Sequence, residues 1–200
     1  MAARVICISR TIGALGEEVG HHLSERLGLR YLDEEIVSRA AARENVDPGL
    51  VADAERRKSF VERLLNALAT GGADAYVAPI PDDLAHGEHY RDLIRATIEE
   101  AAAQGDVVIV AHAASYALAG RDGVLRVLLI ASEAARAGRL GGDLDEARKE
   151  IERSDKSRAD YLKRFYDVDE EEATHYDLVV NTDLLSAEQA AAVVAAAAEV

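Results

Sequence analysis

Short apolar runs separated by longer stretches of helical periodicity set the pattern of this chain. The runs predict strands at Arg4 to Ser9, Arg30 to Leu32, Val107 to Val110, Val124 to Ile130 and Leu178 to Asn181. They do not alternate strictly between apolar and polar, which is how strands covered on both faces look. The intervening segments predict helices at Gly16 to Leu27, Glu34 to Asn45, Leu50 to Ala69, Glu88 to Gln104, Glu133 to Arg139, Leu144 to Tyr166 and Ser186 to Ala197. Strands alternating with helices predict an α/β fold, a doubly wound parallel sheet layered between helices. Between Ala54 and Gly87 the pattern passes into Thr70-Gly-Gly-Ala and Ala78-Pro-Ile-Pro-Asp-Asp, the features of a mobile insertion. Gly141-Gly142 makes a second break before a long charged helix.

Composition narrows this picture. With 200 residues and 49% hydrophobic content the chain can bury the core of one domain, spanning 1–200. A formal net charge of −14 argues against nucleic-acid and anionic-membrane partners, which are held by clustered Lys and Arg. No stretch approaches the roughly 18 apolar residues of a membrane span, and no basic-then-apolar leader precedes the first strand. The single cysteine, Cys7, falls in an apolar strand and fits a reducing cytoplasm. Together these features predict a cytoplasmic protein.

Candidate chemistry begins with Val5-Ile-Cys-Ile-Ser-Arg-Thr-Ile-Gly-Ala-Leu-Gly-Glu-Glu-Val-Gly20, which reads as a buried strand, a glycine loop and a helix start. That layout cradles phosphates on backbone N–H groups and a helix N-terminus. A standard phosphate loop continues with Lys and then Ser or Thr, whereas here Glu17 and Glu18 follow Gly13 and Gly16. The first lysine in the chain is Lys58, far beyond the loop. A second constellation is Arg136 and Arg139 followed by Glu152-Arg-Ser-Asp-Lys-Ser-Arg158, with Tyr161, Lys163 and Arg164. Arginines over a site suit the charged transition state of phosphoryl transfer. Asp155 and Arg158 share a helix face, although a solvated helix laced by ion pairs has the same pattern.

The third constellation is Val107-Val-Ile-Val-Ala-His-Ala-Ala-Ser-Tyr116, where His112, Ser115 and Tyr116 follow a strand's carboxyl end. No Asp closes that strand to hold magnesium. His21 and His22 stand near Glu18 and Glu25, but adjacent helical residues point about 100° apart, so no metal site is assigned.

Over nearly its full length the chain resembles the cytidylate-kinase-like family of P-loop nucleotide kinases. Ile8-Ser-Arg10, Gly13, Gly16, Leu27-Gly and Tyr31-Leu-Asp33 resemble that family's start. Asp155-Lys-Ser-Arg158 through Tyr161, Arg164 and Tyr166 resembles its lid-proximal helix. His175-Tyr-Asp-Leu-Val-Val-Asn-Thr-Asp183, followed by Leu185-Ser186, resembles its last strand and turn, and is the most specific match.

The resemblance implies a three-layer P-loop NTPase-type fold with a core at 1–45 and 105–200, a helical monophosphate-binding insertion at about 46–104 and a lid at about 136–150. It implies transfer of the γ-phosphoryl group of ATP to CMP or dCMP with Mg²⁺. On that correspondence Arg10, Gly13, Gly16 and Glu17 lie at the ATP phosphates. Arg136 and Arg139 belong to the lid and, with Arg158, act in catalysis. Asp33, His112, Asp155 and Arg158 face the acceptor. Two departures fall at anion-binding positions. The family's Gly-Ser-Gly-Gly-Arg is here Gly13-Ala-Leu-Gly-Glu17, and its Gly-Arg-Gly is here Ala111-His-Ala113. An active kinase and a catalytically impaired homologue kept for nucleotide sensing or protein interaction are both compatible with this pattern. Self-association into a homo-oligomer also stays open.

Overall fold

The computed structural model describes residues 3–33, 88–111 and 113–199, with the backbone alone for 88–94. The expected helices Glu34 to Asn45 and Leu50 to Ala69, the mobile insertion between Ala54 and Gly87, and the candidate His112 lie outside the described residues.

Five parallel strands form one sheet: β1 (Val5–Arg10), β2 (Arg30–Asp33), β3 (Val107–Val110), β4 (Val124–Ile130) and β5 (Leu178–Asn181). Their order is β2-β3-β1-β4-β5. The helices among the described residues are α1 (Gly16–Leu27), α2 (Glu88–Gln104), the single-turn α3 (Ala114–Ala117), α4 (Glu133–Leu140), α5 (Leu144–Tyr166) and α6 (Ala187–Ala198). A 3₁₀ turn at Ala173–His175, which the hydrophobic pattern does not signal, leads into β5.

Side-chain alternation divides the strands between two helical layers. Ile6 and Ile8 of β1, Val108 and Val110 of β3, and Val127 and Leu129 of β4 pack with Val19 and Leu23 of α1 and with Ala190, Ala191 and Val194 of α6. On the opposite face α2 packs against β3, and α3 against β1. Both faces of the central strands are therefore dry, which explains why their sequences are continuous apolar runs.

Element ends follow local chemistry. Helix α1 opens with Leu15 in the left-handed region (φ 65) and places Glu17 and Glu18 in its first turn, where the helix dipole favours acids. It closes on Gly28 in the same region. Helix α5 starts at Asp143, whose carboxylate accepts from the N–H groups of Asp145 and Glu146. Helix α6 begins one residue later than expected, because Ser186 is its cap and exchanges hydrogen bonds with Gln189. Strand β1 likewise runs one residue further, with Arg10 in register with Leu129.

The strand order creates the site. From β1 the chain passes outward to β2, whereas from the adjacent β4 it passes to β5 at the other edge. A crevice opens at such a switch point, outside the carboxyl ends of the two strands. The glycine loop leaves β1 there, and α4 leaves β4 beside it.

Candidate functional site

The glycine loop is packed against α4. A Cβ on Gly13, whose φ is +75°, would lie 3.0 Å from the Cα of Arg136 and 3.1 Å from both its Cβ and its carbonyl oxygen. Only glycine lets these two segments approach so closely. A Cβ on Gly16 would overlap the Arg10 side chain at 2.3 Å, so Arg10 lies across the start of α1. In that position the Arg10 guanidinium holds Glu17, with Nε and Nη2 donating to Oε1 at 2.9 and 2.5 Å. The carboxylate that departs from a phosphate loop's usual chemistry is thus paired with an arginine from the same loop.

Arg139 ties the loop to the far strand. Its Nη1 donates to the Gly13 carbonyl at 2.9 Å and to Thr182 Oγ1 at 3.1 Å, and its Nη2 donates to the Thr182 carbonyl. Thr182 Oγ1 in turn donates to the carbonyl oxygens of Ala14 and Ile130 at 3.3 Å each. Arg139 therefore braces the loop in this conformation.

Arg136 is buried, and its Nη2 donates to both oxygens of Asp155, at 2.9 and 2.8 Å. Its Nε is also buried and has no hydrogen-bond partner among the described residues, and the same is true of Thr11 Oγ1 in the glycine loop. Unmade hydrogen bonds are rare for buried polar atoms, because each leaves a desolvation cost of about 1–3 kcal/mol uncompensated. One belongs to Thr11, two residues before Gly13, and the other to Arg136, whose backbone packs against Gly13.

Arg158 is also buried, but most of its donors are engaged. Nε donates to Glu171 Oε2 at 2.9 Å and Nη2 donates to Glu171 Oε1. Nη2 further reaches Tyr176 Oη at 3.3 Å, and Nη1 reaches the Arg10 carbonyl at 3.5 Å. Tyr176 Oη donates to Glu171. Burial works against charge on both members of the Arg158–Glu171 pair, yet their mutual hydrogen bonds and attraction prevail. The guanidinium pKa is raised and the carboxyl pKa lowered. Burial and the Glu171 carboxylate push the Tyr176 phenol well above its ordinary range. Asp155 and Arg158, though on one helix face, thus serve different partners.

Around this pair stand Tyr116, Tyr166, Tyr176 and His175, with the Tyr116 ring 5.6 to 5.9 Å from the other three. Tyr116 Oη lies 3.1 Å from His175 Nδ1, which also accepts from the Glu172 N–H at 3.2 Å. Ser115 is buried and shares a 3.0 Å hydrogen bond with Ser9. Asp33 closes β2 at the same carboxyl edge, and its charge contributes to raising the pKa of Tyr31, after burial.

The signature before α6 has a structural role at each polar position. Tyr176 holds Glu171 and Arg158; Asp177 holds Arg126 through Nε and Nη2 at 3.1 and 2.7 Å. Asn181 Oδ1 accepts from the Asp183 N–H, Asp183 Oδ1 accepts from the Ser132 N–H at the start of α4, and Thr182 meets Arg139. These contacts fasten β5 to the loops that build the site.

The cytidylate kinase-like family model matches residues 5–184. The chain belongs to the cytidylate kinase-like family. A cytidylate kinase of Methanopyrus kandleri is 34% identical over an alignment of 110 positions, which covers 49% of this chain and 57% of that protein. The match therefore spans little more than half of that relative. An uncharacterized protein from Eubacterium ventriosum superposes with a TM-score of 0.61 at 14% identity, covering 97% of each chain. Shikimate kinase from Bacteroides thetaiotaomicron superposes with a TM-score of 0.53 at 17% identity, covering 98% of each chain. At those identities the likeness is one of fold, here the α/β P-loop fold. Family and fold together make this a nucleoside monophosphate kinase-like protein. No helix among the described residues is long and apolar enough to cross a membrane.

Glu171, Thr182 and Thr11 escaped sequence reasoning. Glu171 lies in Asp167-Val-Asp-Glu-Glu-Glu172, where one partly buried carboxylate looks like its solvated neighbours. Its only sequence signal is proximity to the Tyr176 signature.

Proposed function

We propose that this chain is an active nucleoside monophosphate kinase that uses ATP and Mg²⁺ to phosphorylate CMP or dCMP in the cytoplasm. The observation that carries the reading is Arg136: a buried cation rooted against Gly13, with a donor left over. It supplies in space the positive charge that the loop lacks in sequence, and the orphaned Thr11 hydroxyl adds a second donor. ATP, when bound, brings the γ-phosphoryl group, with Mg²⁺ screening its charge. The residues present suit the phosphates better than the metal. Among the described residues no group of three or more His, Cys, Asp or Glu could hold an ion. Magnesium in such sites is carried largely by substrate phosphates and water.

In this reading the first-turn N–H groups of α1 and Arg136 hold the anion, while Arg139 keeps the loop in shape. Arg158, beside the Arg10 carbonyl at the end of β1, stands where an acceptor phosphate would meet the donor. Asp155, bound to Arg136, and Asp33 at the end of β2 face the acceptor side. An oxygen of the acceptor's phosphate attacks the γ-phosphorus, the bond to the β-phosphate oxygen breaks, and ADP leaves. Residues 136–150, which include Gly141 (φ +71°) and Gly142 (φ +74°) between α4 and α5, form the lid that excludes water. In this reading the acceptor-binding insertion is the segment 46–104, of which the described part is α2.

The Arg10–Glu17 pair favours a second reading, in which the fold persists but ATP is bound too weakly for turnover. An ADP-release assay with ATP and CMP, dCMP, UMP or AMP separates the two. Turnover highest with CMP or dCMP is expected. Absence of turnover with all four acceptors would reject the kinase reading.

A further inference from the structure

We propose that Glu171 is an internal competitor for the acceptor's phosphate: it occupies the bidentate edge of Arg158 and must leave before a phosphomonoester can bind there. The inference rests on the kinase reading for the identity of the ligand. Its structural basis is independent of that reading.

A guanidinium binds carboxylate and phosphate in the same way, through two parallel N–H donors. On Arg158 that edge, Nε with Nη2, is filled by the two oxygens of Glu171. The end-on edge is engaged as well, by the Arg10 carbonyl and Tyr176 Oη. A phosphate therefore has no bidentate approach while Glu171 stays. The two partners differ in freedom: the Arg158 side chain is 5% exposed, whereas that of Glu171 is 21% exposed and comes from the connection between α5 and the 3₁₀ turn. Exchange would thus proceed by departure of the carboxylate, with the arginine held in place. Tyr176 Oη, which donates to Glu171, is positioned to donate to the incoming oxyanion instead.

Arg136 provides the contrast. It spends one nitrogen on Asp155 and keeps a buried Nε without an acceptor among the described residues. The donor side of the crevice thus keeps one hydrogen-bond donor unspent among the described residues, while the acceptor side is held by an internal carboxylate. Such a contact lowers apparent affinity by the fraction of molecules in which Arg158 is vacant. It would make acceptor affinity depend on a residue that touches no substrate.

The test compares the full-length wild type with Glu171→Gln, using CMP and inorganic phosphate as probes in calorimetry and thermal denaturation. Removing the competing charge is expected to tighten CMP binding at least about tenfold. Phosphate is expected to raise the melting temperature of the variant more than that of the wild type, because the anion refills the vacated edge. Asp106→Asn, which removes an exposed ion pair with Arg4 at the strand ends away from the site, controls for general salt effects and should change neither. Glu171→Asp keeps the charge but shortens its reach, and carries the same expectation at smaller amplitude should the glutamine variant not fold. Unchanged or weaker CMP and phosphate binding in the folded variant would overturn the proposal and leave Glu171 a structural pin. ADP release is read separately. Tighter CMP binding without turnover keeps the competitor and removes the kinase reading, and turnover with unchanged CMP affinity does the reverse.

Discussion

Glu17→Gln isolates the charge that sets this loop apart. In the wild type Glu17 and Arg10 form a contact pair, between an arginine side chain 17% exposed and a glutamate side chain 47% exposed. The amide keeps the size of the residue and removes one negative charge from the start of α1. For a phosphate about 8 Å from that position, the repulsion removed is about 2 kcal/mol at an effective dielectric of 20 and about 0.5 kcal/mol at that of water. The expected gain in ATP affinity is therefore about 2- to 30-fold. The loss of stability should stay below about 1 kcal/mol, since the pair is partly exposed. Titration calorimetry with ATP and Mg²⁺ at low salt measures the gain, and repeating it at about 1 M salt should erase most of it, because the Debye length falls to about 3 Å. Equal or weaker ATP binding at low salt would refute the assignment of Glu17 as the loop's electrostatic brake.

Two further outcomes follow from the geometry. Gly13→Ala places a Cβ 3.0 Å from the Arg136 Cα at a φ of +75°, and should cost about 1–3 kcal/mol in a urea titration; a loss below about 0.5 kcal/mol would show that the loop does not rest on α4. Asp177 is held below its ordinary pKa, chiefly by the Arg126 hydrogen bond and despite partial burial. A lowered native pKa means that the unfolded state binds the proton first as pH falls. Its contribution is therefore present above about pH 4 and lost below it. Asp177→Asn should cost about 1 kcal/mol at pH 7 and almost nothing near pH 2; an equal cost at both pH values would contradict this account.

Much of the fold was legible because its signals are local. The bounds of α1, α2, α5, β3, β4 and β5 coincide with those read from hydrophobic periodicity and capping residues. The departures are single-residue shifts at ends such as Ser186, where a cap belongs to the turn and not to the helix. The 3₁₀ turn at Ala173–His175 stayed hidden, since three residues are too few for a periodic pattern. At the site, the sequence identified the glycines and the arginines as residue types suited to phosphate chemistry. It also showed that a lysine was missing and a glutamate stood in the loop. Both follow from chain order alone.

Which carboxylate meets which arginine was decided only in three dimensions. Arg136 and Asp155 are brought together from two helices, Arg158 and Glu171 from a helix and the connection that follows it, and Arg139 reaches back across 126 positions to Gly13. Strand order is the reason: placing β4 beside β1 lays α4 on the glycine loop, and no periodicity within a segment encodes that adjacency. The sequence by itself determined the elements, the layered α/β class and the anomaly at Glu17, because those depend on neighbours a few residues apart. The tertiary structure alone decided that Arg139 braces Gly13, that Arg136 keeps a spare donor among the described residues, and that Arg158 is already engaged. Those depend on contacts between residues far apart in the chain, which only packing of the whole sheet can set.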